Sequence, residues 1–157
     1  KIATPKPAAA IKQVSRMKGD VALGQAIYTR AICNACHTVS QKEKQKGPYL
    51  GNITETYRRN ELAEAILVPE KTIAQGFATN VFTLKDGSRK MGFVTDESGD
   101  SVSLRDITSA EHTFKKSQIK ERSTLPNSLM PSGLMANFTT HEMASLLSYL
   151  ESLAKKK

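Results

Sequence analysis

Two cysteines and a histidine stand together in Cys33-Asn34-Ala35-Cys36-His37, and the 157 residues hold no other cysteine. Thiols at this spacing on a helical turn can each add to one vinyl group of a porphyrin, and the next residue then directs its imidazole at the iron. The arrangement predicts one haem held covalently through Cys33 and Cys36, with His37 as an axial ligand. Three other chemistries share part of the pattern. A thioredoxin-like dithiol uses the same cysteine spacing, but between a strand and a helix, and has no use for the adjacent histidine. A zinc site needs a fourth ligand, and its ligand pairs usually recur. A structural disulfide closing so short a loop braces little of a fold.

An iron that only shuttles electrons usually has two protein ligands. The candidates for the second are Met17, Met91, Met130, Met135, Met143, His112 and His141. Met143 belongs to the apolar stripe of the last helix and reads as core. Met91 and His112 fall in strand-like runs, His141 in the first turn of the last helix, and Met17 in the N-terminal stretch. Met130 is preferred. It lies in Ser128-Leu129-Met130-Pro131, a loop shortly before the last helix, where the proline holds the preceding residue extended. Met135 is the next choice, and a buried thioether is the plain alternative for either residue.

These side chains must be carried by elements. Gly19–Ile32 reads as a helix capped by Asp20, with Leu23, Gly24, Ile27, Tyr28 and Ala31 on one side. Gly24 costs helix stability, which suggests close approach of another helix. Gly47-Pro48-Tyr49-Leu50-Gly51 is a loop. Asn60–Val68 reads as a short helix capped by Asn60 and stopped by Pro69. Alternation then takes over: Phe82 with Leu84, Met91 with Phe93, Val102 with Leu104, and His112 with Phe114, with turns at Asp86-Gly87 and Gly99-Asp100. These runs predict four short strands in a small antiparallel sheet or barrel. Thr139-Thr140-His141-Glu142 is a capping box that opens a helix with Met143, Leu146, Leu147, Leu150 and Leu153 on its apolar stripe. Lys155–Lys157 suit the negative end of that helix.

Residues 1–18, with Pro5, Pro7 and the Ala8–Ala10 run, read as a linker or tail. The chain opens at Lys1 without a secretory leader, as a mature form or a domain boundary would. No apolar run is long enough to span a membrane. The formal charge of +8 comes from 23 Lys and Arg against 15 Asp and Glu. That balance favours solubility and attraction to an acidic partner. The basic residues are dispersed and no nucleic-acid motif accompanies them, so nucleic acid is not expected as a partner.

The Gly19-Asp20 start with Gly24, the CNACH motif, Gly47-Pro48-Tyr49-Leu50, Met130-Pro131 and the ending Leu147-Ser148-Tyr149-Leu150 together resemble class I cytochromes c. The resemblance implies that the Pro48 carbonyl accepts from His37 Nδ1–H, that Pro48, Tyr49 and Leu50 line the haem, and that Gly24 meets the helix bearing Tyr149. One extra residue between Gly24 and Cys33, relative to the mitochondrial type, leaves open whether Tyr28 or Thr29 packs against that helix. A closer resemblance is to the haem-binding domain of Planctomycetes and Verrucomicrobia. It is carried by Tyr57–Leu62, Pro69–Phe77, Leu84–Val94 and Ser128–Leu150. In such proteins the domain often ends a longer chain with a dehydrogenase-like or propeller domain.

The expected fold is therefore mainly α, a class I cytochrome c with an inserted β sheet or barrel. The haem domain is 19–76 plus 124–157, and the insert is 77–123. The expected function is one-electron transfer by a His37/Met130-ligated haem c. This is a carrier and not an enzyme, with a redox protein or fused dehydrogenase domain as partner, in the bacterial periplasm or otherwise outside the cytoplasm. The alternatives are a haem enzyme or gas sensor with an open or labile sixth position, and a thiol redox protein.

Overall fold

A computed structural model describes residues 1–2, 6–43, 47–71, 78–106, 108–125 and 130–154. Four helices and a five-stranded antiparallel sheet occupy them. The expectation of a mainly α fold is corrected, because 39% of the described residues are helical and 22% are strand.

Helix α1, Pro7–Arg16, corrects the expectation that residues 1–18 are a linker or tail. Pro7 sits at the helix start, where it needs no N–H, and the alanines that follow are the strongest helix formers. Ala10 and Val14, one turn apart, are buried. Helix α2, Val21–Arg30, starts as the sequence suggests: Asp20 Oδ1 accepts from Leu23 N–H at 2.9 Å. Helix α3, Arg59–Leu67, begins one residue before the expected cap at Asn60. Its start is held instead by Glu61, whose Oε2 accepts from Arg58 N–H at 2.7 Å. Helix α4, Thr140–Ala154, carries the expected capping box. Thr139 Oγ1 accepts from Glu142 N–H at 3.1 Å and Glu142 Oε1 from Thr139 N–H at 2.9 Å. The lysines at 155–157 lie outside the described residues.

Helices α2 and α4 cross at contact distance. A Cβ on Gly24 would stand 2.6 Å from the Tyr149 Cβ and closer still to the Ser145 carbonyl oxygen, so only glycine fits. Around the crossing, Ile27, Leu146, Leu147 and Leu150 are almost wholly buried, each contributing about 1.5–3 kcal/mol. Arg59 ties α3 to the bundle. Its guanidinium donates to the carbonyls of Val14, Met17 and Ala144 at 3.2, 2.6 and 2.9 Å. It also pairs with Glu151. The first two carbonyls end α1, so the charge of Arg59 supplies a C-terminal cap from another helix.

The sheet runs β1 Asn80–Leu84, β2 Arg89–Glu97, β3 Ser101–Arg105, β4 Glu111–Lys115 and β5 Ile119–Thr124, in the spatial order β4-β3-β2-β1-β5. The fifth strand corrects the expected count of four. Its sequence IKERST has one apolar residue and no alternation, because it lies at an exposed edge beside β1. Phe82, Val102 and Leu104 form a core distinct from that of the helices, with Leu84, Val94, Phe114 and Ile119 around it. Register puts Met91 and Phe93 on the other face: Phe82 pairs with Lys90 and Val81 with Met91. Met91 is exposed, whereas Phe93 is buried. Strand β2 bends at a register shift between Val94 and Asp96. Beyond the bend Glu97 reaches Arg122 of β5 through two bonds of 3.1 and 3.0 Å, and Lys116 at 2.9 Å. Leu125 N–H donates to Thr79 O at 2.8 Å, so the chain enters and leaves the sheet side by side.

Two outcomes follow from this packing. Gly24→Val should lower Tm by roughly 6–12 °C in calorimetry, because the added atoms push α2 off α4. The Arg122 and Lys116 hydrogen bonds hold the Glu97 carboxyl down from 4.5 to about 2. A depressed carboxyl stabilises the fold above its unfolded value and loses that effect as pH falls through the folded one. The Tm difference between wild type and Glu97→Gln should be complete above about pH 5 and fade between 4.5 and about 2, as a Tm series against pH would show.

Candidate functional site

Helix α2 ends at Arg30, and Ile32 turns the chain with φ 56° and ψ 23°. A left-handed β-branched residue is unfavourable. It is held here by Ile32 N–H donating to Thr29 O at 3.0 Å. The turn delivers Cys33–Ala35 as a single 3-10 turn, with His37 N–H donating to Cys33 O at 2.9 Å. Both thiols are free and half-buried. Burial pushes the Cys33 thiol up to about 11. A thiol that attacks disulfides needs the opposite shift, and it needs a strand before it. Neither condition is met, because Cys33 follows a helix.

His37 Nδ1 lies 2.8 Å from Pro48 O. A carbonyl only accepts, so the neutral ring carries its proton on Nδ1 and leaves the Nε2 lone pair free for a metal. Burial lowers the pKa of His37, against the raising effect of the Pro48 bond, which keeps the ring neutral. The loop bearing Pro48 is laced to the chain just after His37. Leu50 N–H donates to Thr38 O at 3.0 Å and Tyr49 Oη to Val39 O at 3.3 Å. Gly47 is buried against the ring: a Cβ there would meet Cys36 O at 3.3 Å and His37 Cε1 at 3.4 Å. Leu50 is buried in the helical core, and Pro48 and Tyr49 are half-buried.

Tyr28 was legible as part of a helix face, but its part in the site was not. Its ring lies 5.8 Å from that of Tyr149, so Tyr28 and not Thr29 packs on α4. Its hydroxyl donates to the backbone carbonyl of His37 at 3.1 Å. The helix crossing and the histidine are thus joined by one side chain.

The residues fit a covalent haem: two thiols on one turn and an imidazole fixed through Nδ1 with Nε2 unpartnered among the described residues. No group of three or more His, Cys, Asp or Glu side chains gathers to hold a metal ion among those residues, as a zinc site would require.

The other candidate iron ligands are dispersed. Met143 is fully buried in α4, and Met135 is 1% exposed in the same core. His112 bonds Asp106 across 2.8 Å in the sheet. Met91 is exposed on β2, and His141 is exposed on α4. Met17 follows α1, its carbonyl on Arg59. Met130 is half-buried beside Pro131, while residues 126–129 and 72–77, which carry part of the closer resemblance, lie outside the described residues.

Residues 21–98 match the Cytochrome c family. The match supports a c-type cytochrome, with the covalent haem c and electron transfer that the family implies. It takes in α2, the cysteine turn, α3 and the first two strands, and leaves out α1 and α4. No curated protein is similar enough in sequence to count as a match.

Tyr28→Phe removes the one side-chain bond to the His37 carbonyl while keeping the ring on Tyr149. It should cost about 1 kcal/mol, or a Tm loss of roughly 2–4 °C, in thermal unfolding.

Proposed function

We propose that this chain carries single electrons through one haem c, attached through Cys33 and Cys36 and ligated by His37 and Met130. The observation that carries the reading is the His37–Pro48 bond of 2.8 Å, which orients the imidazole and frees Nε2. Bound haem supplies an iron that gains and loses one electron. The chain's own work is to hold both axial groups still through that change, since little ligand movement means little reorganisation. His37 is held through its ring by Pro48 and through its carbonyl by Tyr28. Met130, beside Pro131, is the neutral soft donor that raises the potential and closes the sixth position.

The helical part, 19–76 with 124–157, is the haem domain on this reading, with 77–123 as an inserted lobe. Separate hydrophobic cores support the division. The sheet residues 78–125 hold eight Lys or Arg and seven Asp or Glu, so nearly all of the +8 charge comes from the rest of the sequence. An acidic redox protein, or a fused dehydrogenase domain of the kind found with the Planctomycetes and Verrucomicrobia type, suits that charge. The site is extracytoplasmic, where thioether attachment of haem takes place in bacteria. Among the described residues no helix is long and apolar enough to cross a membrane.

Cys33→Ala combined with Cys36→Ala should yield protein whose haem leaves in acid–acetone, while wild type keeps it. Met130→Ala should keep its haem, lose the far-red thioether band, bind cyanide or carbon monoxide, and fall in potential. Met135→Ala should retain the native spectrum. A native spectrum in the Met130 variant with a high-spin Met135 variant would move the ligand to Met135.

A further inference from the structure

The N-terminus reaches the segment that leads into α4. Ile2 is 4% exposed and belongs to the helical core together with Met135 and Phe138. Its N–H donates to the Phe138 carbonyl at 2.7 Å. Phe138 N–H donates to Met135 O at 3.1 Å and Ala136 N–H to Gly133 O at 3.0 Å, so Gly133–Phe138 is a pair of linked turns. Phe138 is itself buried, with the Arg30 guanidinium 5.4 Å from its ring centre. Arg30 also reaches Glu142 in the first turn of α4 at 3.4 Å. Phe138 is therefore gripped by the end of α2, the start of α4 and the N-terminus at once.

We propose that Ile2 is a positioning residue for the axial methionine: its bond to Phe138 keeps the 130–138 segment seated and the sixth ligand on the iron. This rests on the reading of Met130, or failing it Met135, as that ligand. For the methionine to leave, the segment must swing about its junction with α4, and Phe138 is that junction. A backbone bond and a buried side chain at a hinge oppose the swing far more than the same groups would in the middle of a helix. Ile2 and Phe138 both lie outside the residues matched by the family.

The test uses the haem-loaded full chain. Ile2→Pro deletes the N–H and keeps an apolar side chain, and Ile2→Val keeps both. Leu62→Ala loosens the same core from α3. The readouts are the stopped-flow rate at which imidazole enters the ferric protein and the strength of the far-red thioether band. Ile2→Pro should bind imidazole on the order of three- to tenfold faster, the effect of one lost hydrogen bond, with a weaker band. Ile2→Val should match wild type. The proposal is overturned if Ile2→Pro binds no faster than wild type, or no faster than Leu62→Ala at a comparable loss of Tm. Met130→Ala and Met135→Ala run alongside. If neither alters spectrum or rate, the ligand reading has failed and takes this proposal with it, a result visible without any Ile2 variant.

Discussion

Helices α2 and α4 can approach to backbone contact only because Gly24 has no side chain, and most of the helical structure is arranged around that approach. The Ser145 carbonyl and Tyr149 Cβ occupy the space a Cβ would need. The close crossing brings Tyr28 against Tyr149 and seats Ile27 among the leucines of α4. It joins residues some 120 positions apart, a long loop closure whose entropy the dense packing offsets. α3 and α1 then attach to the pair through Arg59, whose guanidinium touches three backbone carbonyls drawn from two other helices and the turn after α1.

The position of the haem turn is a consequence of that crossing. Once α2 is fixed, Arg30 and Ala31 end it, and Ile32 takes a left-handed conformation that glycine would adopt at less cost. The strained turn directs Cys33, Cys36 and His37 off the end of a helix packed closely on α4. Tyr28 reaches back from the helix to the His37 carbonyl, and Pro48 fixes the ring from the other side. The imidazole is held by groups from two separate parts of the chain, which is more than a flexible loop alone provides. The same logic applies at Phe138, whose ring meets Arg30 and whose carbonyl meets Ile2.

Where sequence reasoning succeeded, the signal was local. The cysteine motif, the Asp20 cap, the Thr139–Glu142 box and the first hairpin each announce themselves within a few residues. Phe82 and Leu84 alternate because β1 has a covered face. Where it failed, the deciding contact lay far off in the chain. Helix α1 looked like a tail because the burial of Ala10 and Val14 depends on α3 and α4. Strand β5 has no alternation because an edge strand with a mostly solvated surface needs none. In β2 both faces are partly covered: Val94 packs on the Phe82 side, while on the other Phe93 is buried and Met91 is exposed, so the alternation of Met91 with Phe93 marks no single covered face. Within the site, the Tyr28 hydroxyl and the burial of Ile2 had no local signature at all. Tyr28 differs from a packing phenylalanine by one oxygen, whose partner is set by the turn at Ile32.

On the proposed reading, the sheet would bear on electron transfer through its charge. It has its own apolar core, a closing ion pair between Glu97 and Arg122, and a nearly balanced charge. Uneven charge along a chain can orient a charged partner before contact. On the proposed reading, an acidic partner would gain little from the charge of the sheet and would be steered by residues outside it. Such steering would weaken as ionic strength rises and the Debye length shrinks below the size of the protein.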